Sequence, residues 1–68
     1  MDSLGTALPA EMKRIREVVL PAYQSLGLVG QFGLVMINAD LTRAEEALAS
    51  GDVAAMIKSY ASLREIEL

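Results

Sequence analysis

Cysteine, histidine and tryptophan are all absent from this chain of 68 residues, and proline occurs only twice. Without cysteine and histidine, the chain has no disulfide, no ordinary set of zinc ligands and none of the common nucleophile and base pairs of hydrolases. We therefore predict a protein that is not an enzyme and that uses no metal or other cofactor. A domain of this length has only a small core, so association with another chain is the remaining way to reinforce it.

Long apolar runs and a positive net charge are lacking as well. Hydrophobic residues make up 53% of the chain, but no apolar stretch approaches the roughly 20 residues that cross a bilayer. The opening MDSLGTALPAEMK is acidic and contains glycine and proline, unlike a secretory signal. We therefore expect a cytoplasmic protein. Its net charge of −3 disfavours direct binding to nucleic acid or to an anionic membrane.

Apolar residues recur at spacings of three and four along most of the chain, and no strand-like alternation is present. This periodicity predicts an all-α fold of two to three helices in a helical hairpin. The chain is expected to be a single helical domain with a flexible N-terminus at residues 1–7 and with helices at about residues 8–26, 30–50 and 52–67.

Local signals predict the ends of these helices. Thr6 is the expected N-cap of the first helix. In the SGD sequence, Gly51 is suited to end the second helix and Asp52 to cap the third. Pro21 lies within the apolar stripe of the first helix, which must either kink near residues 18–20 or stop and restart. The uninterrupted periodicity favours a kink.

The most apolar segment is residues 27–39, GLVGQFGLVMINA. Its apolar side chains lie on more than one side of the second helix, and a single neighbouring helix cannot cover them all. We predict that this segment forms the core of an intertwined homodimer. An exposed groove for a different protein is the alternative. The residues assigned to the dimer interface are Leu28, Phe32, Gly33, Val35, Met36, Ile37 and Ala39.

Glycines at 27, 30 and 33 accompany this segment. If all three are helical, they form a strip that lets another helix approach closely. Alternatively, Gly27 and Gly30 belong to the turn between two helices, since glycine is unfavourable inside a helix.

The sequence KRIR at residues 13–16 places three cations beside an aliphatic residue, a composition typical of an interface hot spot. An ordinary solvated helix face with a pair between Lys13 and Glu17 is the alternative. Acidic residues at 45–46, 52 and 65–67 either face a basic partner or only increase solubility. The candidate partner-binding residues are Lys13, Arg14, Ile15, Arg16 and Glu17.

The segments EMKRIREVV and GDVAAMIKSYASLREIE resemble small, acidic, all-helical host-takeover proteins of temperate phages, in particular the quorum-sensing anti-activators of Pseudomonas phages. The resemblance implies a phage inhibitor that is dimeric, binds a host transcription regulator of the LuxR type and blocks its binding to DNA. A pilus-assembly ATPase is a second implied partner. Residues 47–67 also resemble a junction between tetratricopeptide repeats, although no repeat of about 34 residues is present.

Two other functions remain open from the sequence. One is an oligomeric sponge for an anionic signalling nucleotide, bound by arginines near helix N-termini. The other is a structural helical assembly protein without a regulatory role. The arginines available for a nucleotide are Arg14, Arg16, Arg43 and Arg64.

Overall fold

The computed structural model describes residues 3–67, and all regular elements in that range are helical. Residues 4–24 form one continuous helical segment, which we call the first arm, and two further helices follow it as the second and third arms. This confirms the predicted all-α class with three helices, while the homodimer stays a prediction. The elements are α1 (Leu4–Arg14), a π-helical segment (Ile15–Val19), α2 (Leu20–Gln24), α3 (Leu28–Ser50) and α4 (Val53–Arg64).

The core lies where the three arms meet. Helix α4 packs against both α1 and α3, and α2 packs against α3. Spacings of three and four place apolar side chains on one side of each arm, so these sides face one another. The buried hydrophobic residues are Leu8, Met12, Ile15, Val19, Ile37, Leu41, Ala44, Ala47, Met56 and Leu63.

Pro21 does not interrupt the first arm, which stays helical from Leu4 to Gln24. The segment Ile15–Val19, just before the proline, has π-helical hydrogen bonding. In a regular α-helix the proline ring would collide with the carbonyl group of Glu17, four residues earlier, and the wider π turn gives more room there. The two predicted alternatives were a helix that kinks but continues and a helix that stops and restarts. The structure shows a helix that continues past Pro21.

The start of the first helix differs from the prediction, because it begins at Leu4 instead of residue 8. Of the residues 1–7 expected to be flexible, the first two lie outside the described residues, and those from Leu4 onward are helical. Ser3 occupies the N-cap position that was predicted for Thr6, and its carbonyl oxygen accepts a hydrogen bond of 3.0 Å from the Thr6 amide. Leu4, the first residue of this added turn, is partly buried and packs against the core.

The junction between α3 and α4 has the predicted geometry. Gly51 adopts the left-handed conformation with φ of 70°, and its amide donates to the carbonyl oxygen of Ala47 at 3.0 Å. The Asp52 carboxylate caps α4 by accepting from the amide of Ala55 at 3.2 Å. Gly27, which ends the other turn, also has a positive φ, of 63°.

Candidate protein interaction surfaces

The N-terminal half of α3 exposes a row of large apolar side chains. We call this row the α3 apolar face, and its members are Leu28, Val29, Phe32, Val35 and Met36. Their exposed fractions range from 54% for Met36 to 85% for Val29. Contiguous apolar patches of this kind are uncommon on soluble monomers and usually mark an interaction site.

Helix α3 has this exposed face because apolar residues occur on two of its sides, whereas the fold covers only one. Ile37, Leu41 and Ala44 recur at spacings of four and three and are buried in the core. Phe32 and Val35 lie on the other side of the helix and are 79% and 68% exposed. The predicted second apolar stripe of α3 is therefore left uncovered by the chain itself.

The seven residues predicted for the dimer interface fall into two groups. Gly33 lies under the ring of Tyr23, and Ile37 is only 4% exposed, so both already pack inside the chain. Val29 was not among the predicted residues, although it lies seven positions before Met36 and so shares its side of the helix. The predicted interface residues that are exposed are Leu28, Phe32, Val35, Met36 and Ala39.

Gly30 and Gly33 allow α2 to lie close against α3. A Cβ atom at Gly30 would overlap the main-chain carbonyl oxygen of Tyr23, and one at Gly33 would overlap the Tyr23 ring. Both glycines are helical, whereas Gly27 belongs to the turn. Of the two alternatives for these glycines, the turn holds for Gly27 and the close helix approach for Gly30 and Gly33, and the helix that approaches is the chain's own α2.

Residues 18–39 contain no charged side chain, and Glu17 and Asp40 are the charged residues that bound this segment. The segment includes α2, the following turn and the whole α3 apolar face. A protein that packs on this face therefore meets no ionic group from the same stretch of chain.

Two of the five predicted partner-binding residues serve the fold itself. Ile15 is fully buried. The Arg14 guanidinium pairs with Glu11 at 2.8 Å and donates to the carbonyl oxygens of Leu63 at 2.9 Å and Ile66 at 3.0 Å. These carbonyls lie where α4 ends, at Arg64 instead of the predicted residue 67, so Arg14 bonds to carbonyl groups at the C-terminal end of that helix.

The other three predicted residues remain on the surface. Lys13 and Glu17 form an exposed pair at 3.9 Å, as the solvated alternative predicted. Arg16 reaches Glu45 on α3 at 2.6 Å. Each exposed cation here is matched by a carboxylate, so the cluster is a mixed polar surface without an excess of positive charge.

A groove of about 410 Å³ lies between α3 and the residues that follow α4. We call it the C-terminal groove. Apolar side chains of Tyr23, Met36, Ile37 and Ile66 line it. The carboxylates of Asp40, Glu65 and Glu67 also line it. Glu65 and Glu67 belong to the acidic residues that are predicted either to face a basic partner or only to increase solubility.

The arginines considered for nucleotide binding are mostly engaged within the chain. Arg14 and Arg16 make the contacts given above, and Arg43 pairs with Asp40. Arg64 lies over the ring of Tyr60, 5.7 Å from its centroid. Within residues 3–67, each of the four arginines thus has a partner inside the chain, which does not favour the nucleotide sponge.

Within residues 3–67, no helix is long and apolar enough to cross a membrane. In the same part of the chain, no three acidic side chains lie close enough together to hold a metal ion. Comparisons with protein family models, curated proteins and solved structures find no match to this chain.

Proposed function

We propose that the protein is a non-enzymatic protein interaction module that works in the cytoplasm as a homodimer, with the α3 apolar face as the subunit interface. The observation that carries the proposal is the exposure of five large apolar side chains on one side of one helix. Burying such a side chain fully contributes about 1.5–3 kcal/mol. A second chain on this face would therefore add substantial stability to a domain whose own core is small.

The composition of the exposed surface suits a stable interface. The five side chains of the α3 apolar face are all large and apolar, and each is more than half exposed. Such a patch supplies the apolar centre of an interface, and nearby polar residues such as Gln31 and Asn38 supply its rim.

The absence of charge favours a second copy over a different protein as the occupant. In a two-fold symmetric dimer, residues near the axis meet their own copies, so a charged residue there would face a like charge. Residues 18–39 avoid this repulsion because they contain no charged side chain. The chain as a whole carries a net charge of −3, so the charge-free segment is where two copies approach most favourably.

The partner that we propose for the homodimer is a host transcription regulator of the LuxR type, whose DNA binding the protein would inhibit. The support for this partner is the resemblance of residues 11–19 and 51–67 to phage anti-activators, which also implies a pilus-assembly ATPase as a second partner. We assign the contact to Lys13, Arg16 and Glu17, because they are exposed and lie outside the α3 apolar face.

Light scattering together with circular dichroism over a dilution series tests the homodimer. We expect the mass of two chains at high concentration and a fall in helical signal on dissociation. Phe32→Asp should reduce the mass to that of one chain, because each subunit would bury a carboxylate. Ile57→Asp is the matched control, since Ile57 is 54% exposed on α4, and should leave the dimer intact. A monomer at every concentration, or a dimeric Phe32→Asp variant, would contradict the proposal.

A DNA-binding assay with a purified LuxR-type regulator tests the proposed partner. The protein should release the regulator from its DNA, and Arg16→Glu should lose this effect while keeping the helical signal and the dimer mass. Arg43→Glu is the matched control, because Arg43 is an exposed arginine on α3 that was not assigned to the contact. If the Arg16→Glu variant releases the regulator from its DNA as efficiently as the unaltered protein does, the assignment is overturned.

A further inference from the structure

We infer that the C-terminal groove binds a basic, amphipathic segment of a partner protein, with an apolar side chain in the groove and lysine or arginine residues beside Glu65 and Glu67. The inference deepens the proposed function, since it rests on the protein being an interaction module. It does not depend on the homodimer or on the LuxR-type regulator.

The lining of the groove suits an apolar anchor. Tyr23, Met36 and Ile66 are each partly exposed and lie around the buried Ile37. The groove has a volume of about 410 Å³ and opens widely to solvent, a shape that can seat a side chain of an amphipathic helix. Met36 can adjust to the shape of the entering group, because methionine is unbranched and flexible.

The charges at the groove select a basic occupant. Asp40 is already paired with Arg43, whereas Glu65 and Glu67 make no ion pair with any residue of the described range. No lysine or arginine lines the groove within that range. An anionic segment would be repelled here, whereas a purely apolar one would gain nothing from the two glutamates, which are exposed to solvent. Lysine or arginine beside the apolar anchor complements both features of the groove.

The part of the chain that carries these glutamates is held in place before any partner binds. Arg14 donates to the carbonyl oxygen of Ile66, which lies between Glu65 and Glu67. The amide of Ile66 donates to the carbonyl oxygen of Leu63 at 3.1 Å. Binding therefore does not have to order this segment first, which lowers its entropic cost.

The chain's own basic segment does not fit the groove of a second copy. In residues 13–16, Ile15 is fully buried and Arg14 is bonded to the end of α4. The apolar and cationic groups of this segment are thus not available together on its surface. Residues 13–16 of a second copy are therefore excluded as the occupant, and we assign the groove to a different protein. Met36 belongs both to the groove lining and to the α3 apolar face, so the two proposed sites adjoin each other.

Fluorescence anisotropy with a labelled synthetic helical peptide tests the inference. The peptide carries leucines on one side and lysines and arginines on the other, and its control has the same composition in scrambled order. We expect saturable binding of the amphipathic peptide only, with affinity that decreases as salt increases. Undetectable binding, or equal binding of the scrambled peptide, would overturn the inference.

Two charge-reversal variants locate the binding. Glu65→Lys with Glu67→Lys should weaken peptide binding by about tenfold or more, because two attractive contacts become repulsive. Glu45→Lys with Glu46→Lys changes the net charge equally at exposed positions outside the groove and should alter the affinity by less than about twofold. Equal weakening by both pairs would mean that the peptide responds only to overall charge, and would contradict the groove assignment.

The Phe32→Asp variant separates this inference from the homodimer. If the groove is a site of its own, the variant should bind the peptide with nearly unchanged affinity after its mass has fallen to one chain. Loss of peptide binding together with the loss of the dimer would place the site at the subunit interface and overturn the inference. Peptide binding by a protein that proves to be monomeric would support the groove while contradicting the proposed homodimer.

Discussion

The Arg14 guanidinium in α1 donates a hydrogen bond of 2.9 Å to the carbonyl oxygen of Leu63, 49 positions later in the chain. The Leu63 side chain is fully buried, so this bond lies directly over the core. A second bond of 3.0 Å reaches the carbonyl oxygen of Ile66. One arginine thus satisfies two carbonyl groups at the end of α4 and joins the first helix to the last.

Replacing Arg14 should measurably destabilise the protein. Arg14→Met keeps an unbranched side chain but removes both bonds to carbonyl oxygens and the pair with Glu11, and we expect a loss of about 1–2 kcal/mol. In a chain of this size, 1 kcal/mol lowers Tm by about 4–8 °C. Thermal unfolding at fixed protein concentration, followed by circular dichroism, measures the change.

Lys13→Met is the control for Arg14→Met. Lys13 makes one exposed pair, 3.9 Å from Glu17, and such pairs contribute between about 0 and 1 kcal/mol. Its Tm should therefore stay close to that of the unaltered protein. Equal destabilisation by the two substitutions would show that the bonds of Arg14 to the end of α4 contribute nothing beyond an ordinary surface charge.

Gly30→Ala and Gly5→Ala should change stability in opposite directions, although both introduce alanine into a helix. At Gly30 the new methyl group would overlap the carbonyl oxygen of Tyr23, and main-chain displacement costs about 1–3 kcal/mol. At Gly5 its nearest neighbour is the Ser3 Oγ atom at 3.6 Å, so the better helix propensity of alanine should contribute up to about 1 kcal/mol. Urea unfolding of both variants compares the two effects, and a stabilised Gly30→Ala would contradict the close packing of α2 on α3.

Removing the N-cap of α4 should destabilise the protein less than Arg14→Met or Gly30→Ala does. Asp52→Ala deletes the acceptor of the Ala55 amide, and we expect a loss of about 1 kcal/mol. Asp52→Ser retains a capping oxygen and should recover most of that stability. The free energies of unfolding of both variants, measured in urea, provide the test. If alanine and serine prove equally destabilising, the loss comes from some other role of Asp52.

Salt should distinguish the two proposed surfaces. Because the α3 apolar face lies in a charge-free segment, the dissociation constant of the homodimer should change by less than about twofold between about 0.05 and 0.5 M sodium chloride. Peptide binding at Glu65 and Glu67 should weaken clearly over the same range. Sedimentation equilibrium gives the first quantity and anisotropy the second. A steep salt dependence of the dimer would point to an interface elsewhere on the chain.

Much of the fold was predictable because its signals are local. The junction at Gly51 and Asp52 was read correctly, since a left-handed glycine followed by a capping carboxylate requires only neighbouring residues. Helix α3 begins at Leu28, two residues before the predicted start at about residue 30. The start at Leu4 was missed because it depends on the packing of Leu4 against the core, which is a tertiary contact.

The candidate surfaces were predictable only in part. Spacing alone placed Phe32 and Val35 on a second apolar stripe, and the structure leaves that stripe exposed. The same reasoning grouped Arg14 and Ile15 with a partner surface, because both lie in a cationic segment. Their true neighbours are far along the chain, Leu63 for Arg14 and the shared core for Ile15, and no local pattern indicates such contacts.

Three features follow directly from the order of amino acids, since each depends on residues within one or two helical turns. They are the helical class, the junction between α3 and α4, and the absence of charged side chains from residues 18–39. Which stripe of α3 is buried depends instead on how three helices share one core. Gly30 and Gly33 let α2 pack closely on α3, and the side occupied by Phe32 is left free. Helical periodicity specifies that both stripes exist, but only long-range packing selects between them.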